Sequence, residues 1–350
     1  MLATEPGAVA DSSPMAPPAN GPLAWKCIIA PAEPFLQAVA DRLKEQINAF
    51  ERDIATYAEY ALTNQGKQIR PALVALSGGA TGRTDDSHVM VAVIIEMVHL
   101  ATLVHDDVMD EARIRRNRPT LAAHWGNEIS VLLGDCLFAH ALKLAASFPT
   151  TEICRAVSAA TNTVCSGEIL QTQRRRNFEL SRAEYFKVLQ MKTGELFALS
   201  CDLGAYLSGA GAVQRSALRQ YGLAIGTAYQ IYDDCLDLFG SETSAGKSLG
   251  TDLAKGKLTL PLLLAAGRAS PAERAEIEAM VREWSPESFS ALLRILHQHR
   301  ALEDSQAAVH QYLESARQKL NILPGTKSRS GLAGLADYLA MQTDALGTVG

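Results

Sequence analysis

The chain has 350 residues, of which 47% are hydrophobic and 20% are charged, and its formal net charge is −5. This composition is enough for a sizeable core and argues against a largely disordered chain. The acidic balance argues against a general nucleic-acid binder, which would carry an excess of Lys and Arg. The six cysteines form no CxxC pair. Free thiols of this kind are typical of a reducing compartment, so we expect a cytoplasmic protein.

The amino-terminal stretch MLATEPGAVADSSPMAPPANGPLAWK contains five prolines, two acidic residues and no early basic region. It predicts a flexible Pro/Ala-rich tail over residues 1–34 rather than a targeting helix. The longest apolar run, 89–104, is interrupted by Glu96 and His99. That interruption predicts a buried helix and not a membrane span.

Apolar residues recur at three- and four-residue steps from Leu36 to Ala61, which predicts one helix that stops at Gly66. Asp85 or Asp86 can cap the next strongly periodic helix, and Gly240 can end the last one. No stretch alternates long enough to predict a strand. The further helices predicted in this way cover 86–112, 129–147, 152–172, 183–208 and 214–239. The sequence therefore predicts an all-α, single-domain helical bundle over residues 35–345.

Two acidic clusters lie within apolar stretches of two predicted helices. In HDDVMDEAR, the helical spacing places Asp106, Asp107 and Asp110 on one face. The stretch YQIYDDCLDLFG repeats this spacing with Asp233, Asp234 and Asp237. Such carboxylates repel one another unless a cation neutralises them, and Mg²⁺ accepts a few carboxylates together with water and substrate phosphates. The pair of clusters predicts a site for metal and phosphate.

Basic residues accompany both clusters. Guanidinium groups match phosphate oxygens, and a helix start is a good anion site. We therefore predict one phosphate group held by the acids through metal ions and another held directly by Lys and Arg, which means two anionic substrates. The basic residues concerned are Arg113, Arg115, Arg116 and Arg118 after the first cluster, Lys67 and Arg70 in GKQIRP, and Lys247 and Lys257 after the second cluster.

In this combination the sequence resembles the trans-isoprenyl diphosphate synthases, the polyprenyl synthetase family, over roughly residues 35–340. The stretches that match in family order are GKQIRP, HLATLVHDDVMDEARIRR, GEILQ, MKTGELF, YQIYDDCLD and GKSLGTDLAKGKLTLP. The resemblance implies a helical bundle around a deep central cavity, usually in a homodimer. It also implies Mg²⁺-dependent 1′–4 condensation of isopentenyl diphosphate with an allylic diphosphate, with three metal ions that Mn²⁺ can replace. Long products would allow peripheral membrane contact.

The resemblance also implies residue roles. Metal ligation would fall to Asp106, Asp110 and Asp233 directly, with Asp107, Asp234, Asp237 and Gln171 in or near the coordination shell. Isopentenyl diphosphate would be held by Lys67, Arg70, His99 and Arg116. The allylic diphosphate would be held by Arg115, Lys192 and Lys257, with Lys247 close by, and Thr193 and Gln230 would line the reaction centre. Asn117 and Tyr229 stand where the family commonly has Gly and Phe, and neither removes a charge.

The helix with the first acidic cluster is expected to wall the pocket for the growing hydrocarbon. Counting back from Asp106, we expect Ala101 and Thr102 at the first level, and Val98, Met97 and Ile94 below them. Because one helical turn rises about 5.4 Å, small residues at the first level predict products of C20 or longer. The segment HLATLVHDD is most similar to medium- and long-chain synthases that make quinone side chains. Ala101→Phe is then expected to shorten the product.

Three alternatives remain at this stage. A class I terpene cyclase shares the first acidic motif, but it would lack GKQIRP and the second motif. A non-catalytic subunit of a heteromeric synthase would have lost its acidic motifs, which are intact here. A di-iron bundle needs two Glu-x-x-His motifs, and only Glu96 with His99 forms one.

The run of arginines at 174–176 is interpreted as a solvated loop.

Overall fold

A computed structural model describes residues 22–63, 66–116, 118–241 and 249–347. Within these ranges the regular elements are helices, apart from one hairpin of two-residue strands, β1 (Ile114–Arg115) and β2 (Arg118–Pro119). The all-α prediction is therefore confirmed. Up to the hairpin the helices are α1 (Pro22–Ile29), α2 (Glu33–Ile47), α3 (Arg52–Thr63), α4 (Ile69–Thr81) and α5 (Asp86–Met109).

The helices after the hairpin complete the bundle. They are α6 (Leu121–Trp125), α7 (Asn127–Ala146), α8 (Thr151–Gln173), α9 (Arg182–Leu189), α10 (Glu195–Leu207) and α11 (Ala212–Phe239). They continue with α12 (Thr251–Ala254), α13 (Leu260–Arg268), α14 (Pro271–Arg282), α15 (Phe289–Gln298), α16 (Ala301–Lys319) and α17 (Lys327–Asp344). Single turns of 3₁₀ helix lie at Ala30–Ala32, Pro286–Ser288 and Leu320–Ile322, and a π turn at Gln190–Gly194 joins α9 to α10.

The single helix predicted from Leu36 to Ala61 is wrong, because the chain breaks between α2 and α3. The backbone N–H of Ala49 donates to Gln46 O at 3.0 Å, and that of Phe50 donates to Ile47 O at 3.2 Å. These short-range turns end α2 before α3 begins at Arg52. The apolar spacing stays in phase across the break since both helices pack on the same core as α5. Periodicity alone therefore conceals the break.

The segment 22–34, expected in the tail, is helical. The ring of Trp25 in α1 lies 5.7 Å from the ring of Tyr338 in α17. Helical structure thus begins before the predicted start at residue 35. Residues 1–21 lie outside the described residues, and the division of the chain into a tail and a domain stays a prediction.

Helices α5 and α11 carry the acidic clusters through the core. Asp85 caps α5, because its Oδ1 accepts from the backbone N–H of Ser87 at 3.0 Å. Two described helices, α5 and α7, are long and apolar enough to span a membrane by composition, and 72% of the apolar window of α5 is buried in the bundle. We therefore interpret α5 as a core helix, as its interrupted apolar run predicts.

The helix predicted over 183–208 is divided by the π turn. At this point the bundle packs backbone against backbone: a Cβ at Gly226 of α11 would lie 2.8 Å from the Cα of Gly194. Glycine at both positions lets the π turn approach α11 closely. This approach brings Lys192 and Thr193 to the same cavity as the second acidic cluster.

Candidate functional site

A cavity of about 1430 Å³ opens between the central helices. Asp106 and Asp110 line it from α5, and Asp233 and Asp234 line it from α11. The two clusters that stand far apart in the sequence thus share one space. The other expected site residues in the lining are Lys67, Arg70, His99, Thr102, Arg115, Arg116, Gln171, Lys192, Thr193, Gln230 and Lys257.

Asp110 lies where α5 ends and is surrounded by cations. Its carboxylate lies 3.0 Å from Lys255 Nζ, 3.1 Å from Lys257 Nζ and 3.2 Å from Arg175 Nη2. Burial opposes ionisation here, but the ammonium groups of Lys257 and Lys255 hold the pKa of Asp110 below its usual value. The carboxylate is therefore charged at neutral pH.

The arginines at 174–176 are not a solvated loop, so that interpretation is wrong. Arg175 contacts Asp110, and Arg174 Nη2 lies 3.2 Å from Glu184 Oε1. The backbone N–H of Arg176 donates to Gly256 O at 2.7 Å, which ties this turn to the segment with Lys255 and Lys257. Sequence reasoning missed Arg175 and Lys255 because only the fold brings them to Asp110.

Asp107 does not line the cavity, unlike its two neighbours in the motif. It is 6% exposed, and its Oδ1 accepts a hydrogen bond from Arg115 Nε at 2.8 Å. Consecutive helical residues are rotated by about 100°, so Asp107 cannot share the direction of Asp106. In this structure Asp107 holds Arg115, which itself lines the cavity.

Lys192 projects from the π turn toward the first acidic cluster. Its Nζ donates to Glu168 Oε1 at 2.7 Å and to Gln171 Oε1 at 3.0 Å, and it lies 3.8 Å from Asp106 Oδ2. Burial lowers the pKa of Lys192, but Asp106 and Glu168 outweigh it and raise the pKa above its usual value. Glu168 was missed although it stands in the matched stretch GEILQ, where only Gln171 had been singled out.

Asp234 of the second cluster is bound by protein donors on both carboxylate oxygens. Tyr185 Oη donates to Oδ2 at 2.5 Å, and Gln230 Nε2 donates to Oδ1 at 2.9 Å. Gln230 Oε1 in turn accepts from Thr193 Oγ1 at 2.8 Å. Burial, with a further contribution from Asp252, raises the pKa of Asp234 to about 7.

Asp237 also lies outside the cavity lining and is 1% exposed. Its Oδ1 accepts from Thr251 Oγ1 at 2.7 Å, and its Oδ2 accepts from the backbone N–H of Asp252 at 3.0 Å. Asp237 therefore anchors the segment that carries Lys255 and Lys257. Asp252, which sequence reasoning missed, lines the cavity 3.6 Å from Lys257.

A basic group lies in another part of the cavity, where Lys67 and Arg70 at the start of α4 meet His99 and Arg116. The buried Nε of Arg70 has no hydrogen-bond partner among the described residues. Burial lowers the pKa of His99 well below its usual value, and the charges of Arg70 and Arg116 lower it further. An anion bound here would supply the missing acceptor. Glu96 is 3% exposed beside this group.

Ala101 does not lie in the cavity wall, and this corrects the expected pocket. Ala101 is 0% exposed and packs within the helical core, as do Met97, Val98 and Ile94. The wall below Asp106 is formed by Thr102 and Leu103, four and three residues before it. Phe138 from α7 and Val164 from α8 also line the cavity, and nothing in the sequence had singled them out.

The oxygen ligands around the cavity suit a divalent cation that is shared with a substrate. In the described ranges, no three Asp, Glu, His or Cys side chains cluster closely enough to hold a metal ion. Mg²⁺ does not need such a cage, because it is usually bound by one or two carboxylates with waters and substrate phosphates. Asp106 and Asp110 on α5 and Asp233 on α11 offer such sparse oxygen ligands around one cavity. They fit Mg²⁺ that is shared with a diphosphate. Lys247 and Asn117 lie outside the described residues.

The family model described as polyprenyl synthetase matches residues 51–296 of the chain. The chain is 36% identical over 308 residues to heptaprenyl diphosphate synthase component 2 of Bacillus subtilis, covering 85% of this chain and 88% of that relative. It is 33% identical to octaprenyl diphosphate synthase of Escherichia coli, covering 86% of this chain and 93% of that relative.

A solved structure shows the same fold. The polyprenyl synthase from Caulobacter crescentus, complexed with calcium and isoprenyl diphosphate, superposes with a TM-score of 0.86 at 32% identity. The match covers 91% of this chain and 97% of that one. The family match over residues 51–296 spans every cavity-lining residue described above.

Proposed function

The chain belongs to the polyprenyl synthetase family and is a trans-prenyltransferase, and we propose that it condenses isopentenyl diphosphate with an allylic diphosphate by 1′–4 addition. The product would be a polyprenyl diphosphate of C20 or longer. One observation carries this proposal: Asp106 and Asp233, the Lys192 side chain and the basic group around Arg70 all line a single cavity. Two diphosphates can be held there by different means.

The allylic diphosphate would lie between the acidic clusters. Asp106, Asp110 and Asp233 would hold Mg²⁺, and the proposed number of ions is three. When bound, the metal supplies positive charge to the departing diphosphate. Lys192 and Lys257, both already within the cluster, would donate N–H groups to the same leaving group.

Isopentenyl diphosphate would bind in the basic group without metal. Lys67, Arg70 and Arg116 supply the charges, and the unpartnered Arg70 Nε supplies a donor that needs an acceptor. Neutral His99 can donate one N–H. This arrangement would orient the double bond of isopentenyl diphosphate toward the allylic carbon.

The reaction centre would lie beside Thr193 and Gln230, where an allylic carbocation forms when the diphosphate departs. The apolar side chains of Leu103, Phe138 and Val164 would exclude water that could quench it. No side-chain nucleophile is required. The released diphosphate is the proposed base for the final proton, with Thr193 and Tyr232 as alternatives.

A long product is supported by the relatives, whose names specify heptaprenyl and octaprenyl diphosphates. A homodimer is proposed from the exposed apolar face of α7, where Leu132 is 61% and Val131 40% exposed. The Bacillus relative is named as a component, so assembly with a different chain is a second candidate. Both acidic clusters are intact here, which favours a catalytic chain in either assembly.

An elongation assay tests the function. The purified protein is incubated with Mg²⁺, labelled isopentenyl diphosphate and C10, C15 or C20 allylic primers, and the dephosphorylated products are separated by chain length. We expect elongation that EDTA abolishes and that falls by about 10²-fold or more in Asp106→Asn and in Asp233→Asn. Asp344→Asn, which changes an exposed carboxylate at the end of α17 that contacts His310, is the control and should remain active. Cyclised hydrocarbon from one primer without elongation would contradict the proposal.

A further inference from the structure

Tyr185 is a buried tyrosine at the cavity to which the proposed reaction gives no role. It is 4% exposed on α9, and its hydroxyl donates to Asp234 Oδ2 at 2.5 Å. A buried hydroxyl without a partner is unfavourable, so this bond restricts both side chains. Asp234 is itself 5% exposed.

The bond is the first of three in a continuous chain. Asp234 Oδ1 accepts from Gln230 Nε2 at 2.9 Å, and Gln230 Oε1 accepts from Thr193 Oγ1 at 2.8 Å. Because Asp234 Oδ1 is the acceptor in this bond, it faces the NH₂ end of the Gln230 amide. The carbonyl end of the Gln230 amide must then face Thr193 and accept a hydrogen bond from its hydroxyl.

The direction of these hydrogen bonds determines whether Thr193 turns its hydroxyl proton or its oxygen lone pairs toward the cavity. Since its proton points at Gln230, the lone pairs of Oγ1 are left for the space that the cavity encloses. An oxygen with fixed lone pairs stabilises positive charge that develops nearby, because no reorganisation is needed during the reaction.

We propose that Tyr185 is a positioning residue that fixes Thr193 toward the allylic carbocation through Asp234 and Gln230. The inference rests on the proposed function. It also assigns Asp234 as a hydrogen-bond hub, because both of its oxygens already accept from protein donors. Tyr185 would not touch the substrate.

Tyr185→Phe removes only the hydroxyl and is the test. We expect kcat to fall by about 10- to 100-fold, with the KM values for both diphosphates changed by no more than about twofold. Tyr221→Phe is the matched control. Tyr221 is 0% exposed in the same core cluster, and its hydroxyl donates to Leu332 O at 2.7 Å, away from the cavity. It should lower the melting temperature about as much as Tyr185→Phe and leave kcat unchanged.

A double-mutant cycle separates positioning from a general structural effect. If Tyr185 acts through Thr193, the variant Tyr185→Phe/Thr193→Ala should be within about threefold of Thr193→Ala alone. The inference would be overturned if the kcat losses of the two single variants multiplied in the double variant. It would also be overturned if kcat fell as much in Tyr221→Phe as in Tyr185→Phe. An active wild type with an unaffected Tyr185→Phe overturns the positioning role only. A wild type that elongates no primer overturns the proposed function and this inference together.

Discussion

His99 lines the cavity from α5 near Arg70 and Arg116, and desolvation together with these charges lowers the pKa of its imidazole well below the ordinary value. The unfolded chain would bind a proton at an ordinary pKa of about 6.5. At acidic pH the folded protein therefore binds fewer protons than the unfolded chain, and stability is lost as the pH falls below that value.

The first prediction follows from this loss of stability at acidic pH. Between about pH 7.5 and about pH 5.5 the wild type should lose more free energy of unfolding than His99→Gln, because the variant has no imidazole to keep neutral. Urea unfolding at each pH measures this difference. His124→Gln, which changes an exposed histidine on α6, is the control and should follow the wild type. Equal pH dependence in wild type and His99→Gln would contradict a neutral imidazole at this position.

Single residues also show how far spacing predicts a site. Asp106 and Asp110 were predictable, because their separation by four residues returns them to one helix face. Asp107 was not, since one residue of rotation from Asp106 turns it toward Arg115. Asp237 has the same four-residue spacing from Asp233, but Thr251 and the backbone of Asp252 bind its carboxylate outside the cavity lining. The pattern identifies the motif, but tertiary partners decide which carboxylates remain available.

The rotation of helix α5 about its axis decides which of its side chains line the cavity, and these side chains are expected to limit product length. Thr102 and Leu103 line the cavity, whereas Ala101 is fully buried against other helices. The sequence predicted the helix, its role as a wall and the place of Thr102, but it placed Ala101 in the wall where Leu103 lies. That error moves a side chain by about 100° and exchanges a wall position for a core position.

The second prediction concerns this wall. Thr102→Phe should shorten the product, because a ring would fill the first turn below Asp106. Phe138→Ala should lengthen it, since the cavity gains the volume of the lost ring. Chromatography of the prenyl alcohols measures both. Ala101→Phe is the matched control on the same helix: overpacking should destabilise the fold by about 1–3 kcal/mol without setting a new length. A shorter product from Ala101→Phe, with no change from Thr102→Phe, would contradict this assignment of the wall.

Other elements were set by contacts that the sequence does not reveal. The break at residues 48–51 keeps the apolar pattern in phase, so it leaves no signal. The turn at 174–176 reaches Asp110 because the backbone of Arg176 pairs with Gly256. The helices between residues 86 and 239 were thus predictable from local pattern, whereas the break at 48–51, the helices after residue 250 and the loops that complete the cavity were not.

At the scale of the whole molecule, helix α7 presents an apolar surface that the described bundle does not cover. Only 39% of the apolar window of α7 is buried, and Leu132 is 61% exposed. The third prediction is that Leu132→Glu shifts a dimer toward monomer in analytical ultracentrifugation, because a charge would be buried at the interface. Val213→Glu is the control, as Val213 is 73% exposed on a different helix, α11. A monomeric wild type would contradict the homodimer.

The central claim is that one cavity holds two diphosphates, the allylic one through Mg²⁺ bound by aspartates and isopentenyl diphosphate directly by Lys and Arg side chains. Isothermal titration calorimetry with isopentenyl diphosphate and with a non-reactive thiolo analogue of an allylic diphosphate tests it most directly. The analogue should bind only with Mg²⁺, and Asp106→Asn should abolish its binding. Isopentenyl diphosphate should bind equally in Mg²⁺ and in EDTA, and Arg70→Ala should abolish that binding. Equal metal dependence of both ligands, or loss of both in each variant, would contradict the account.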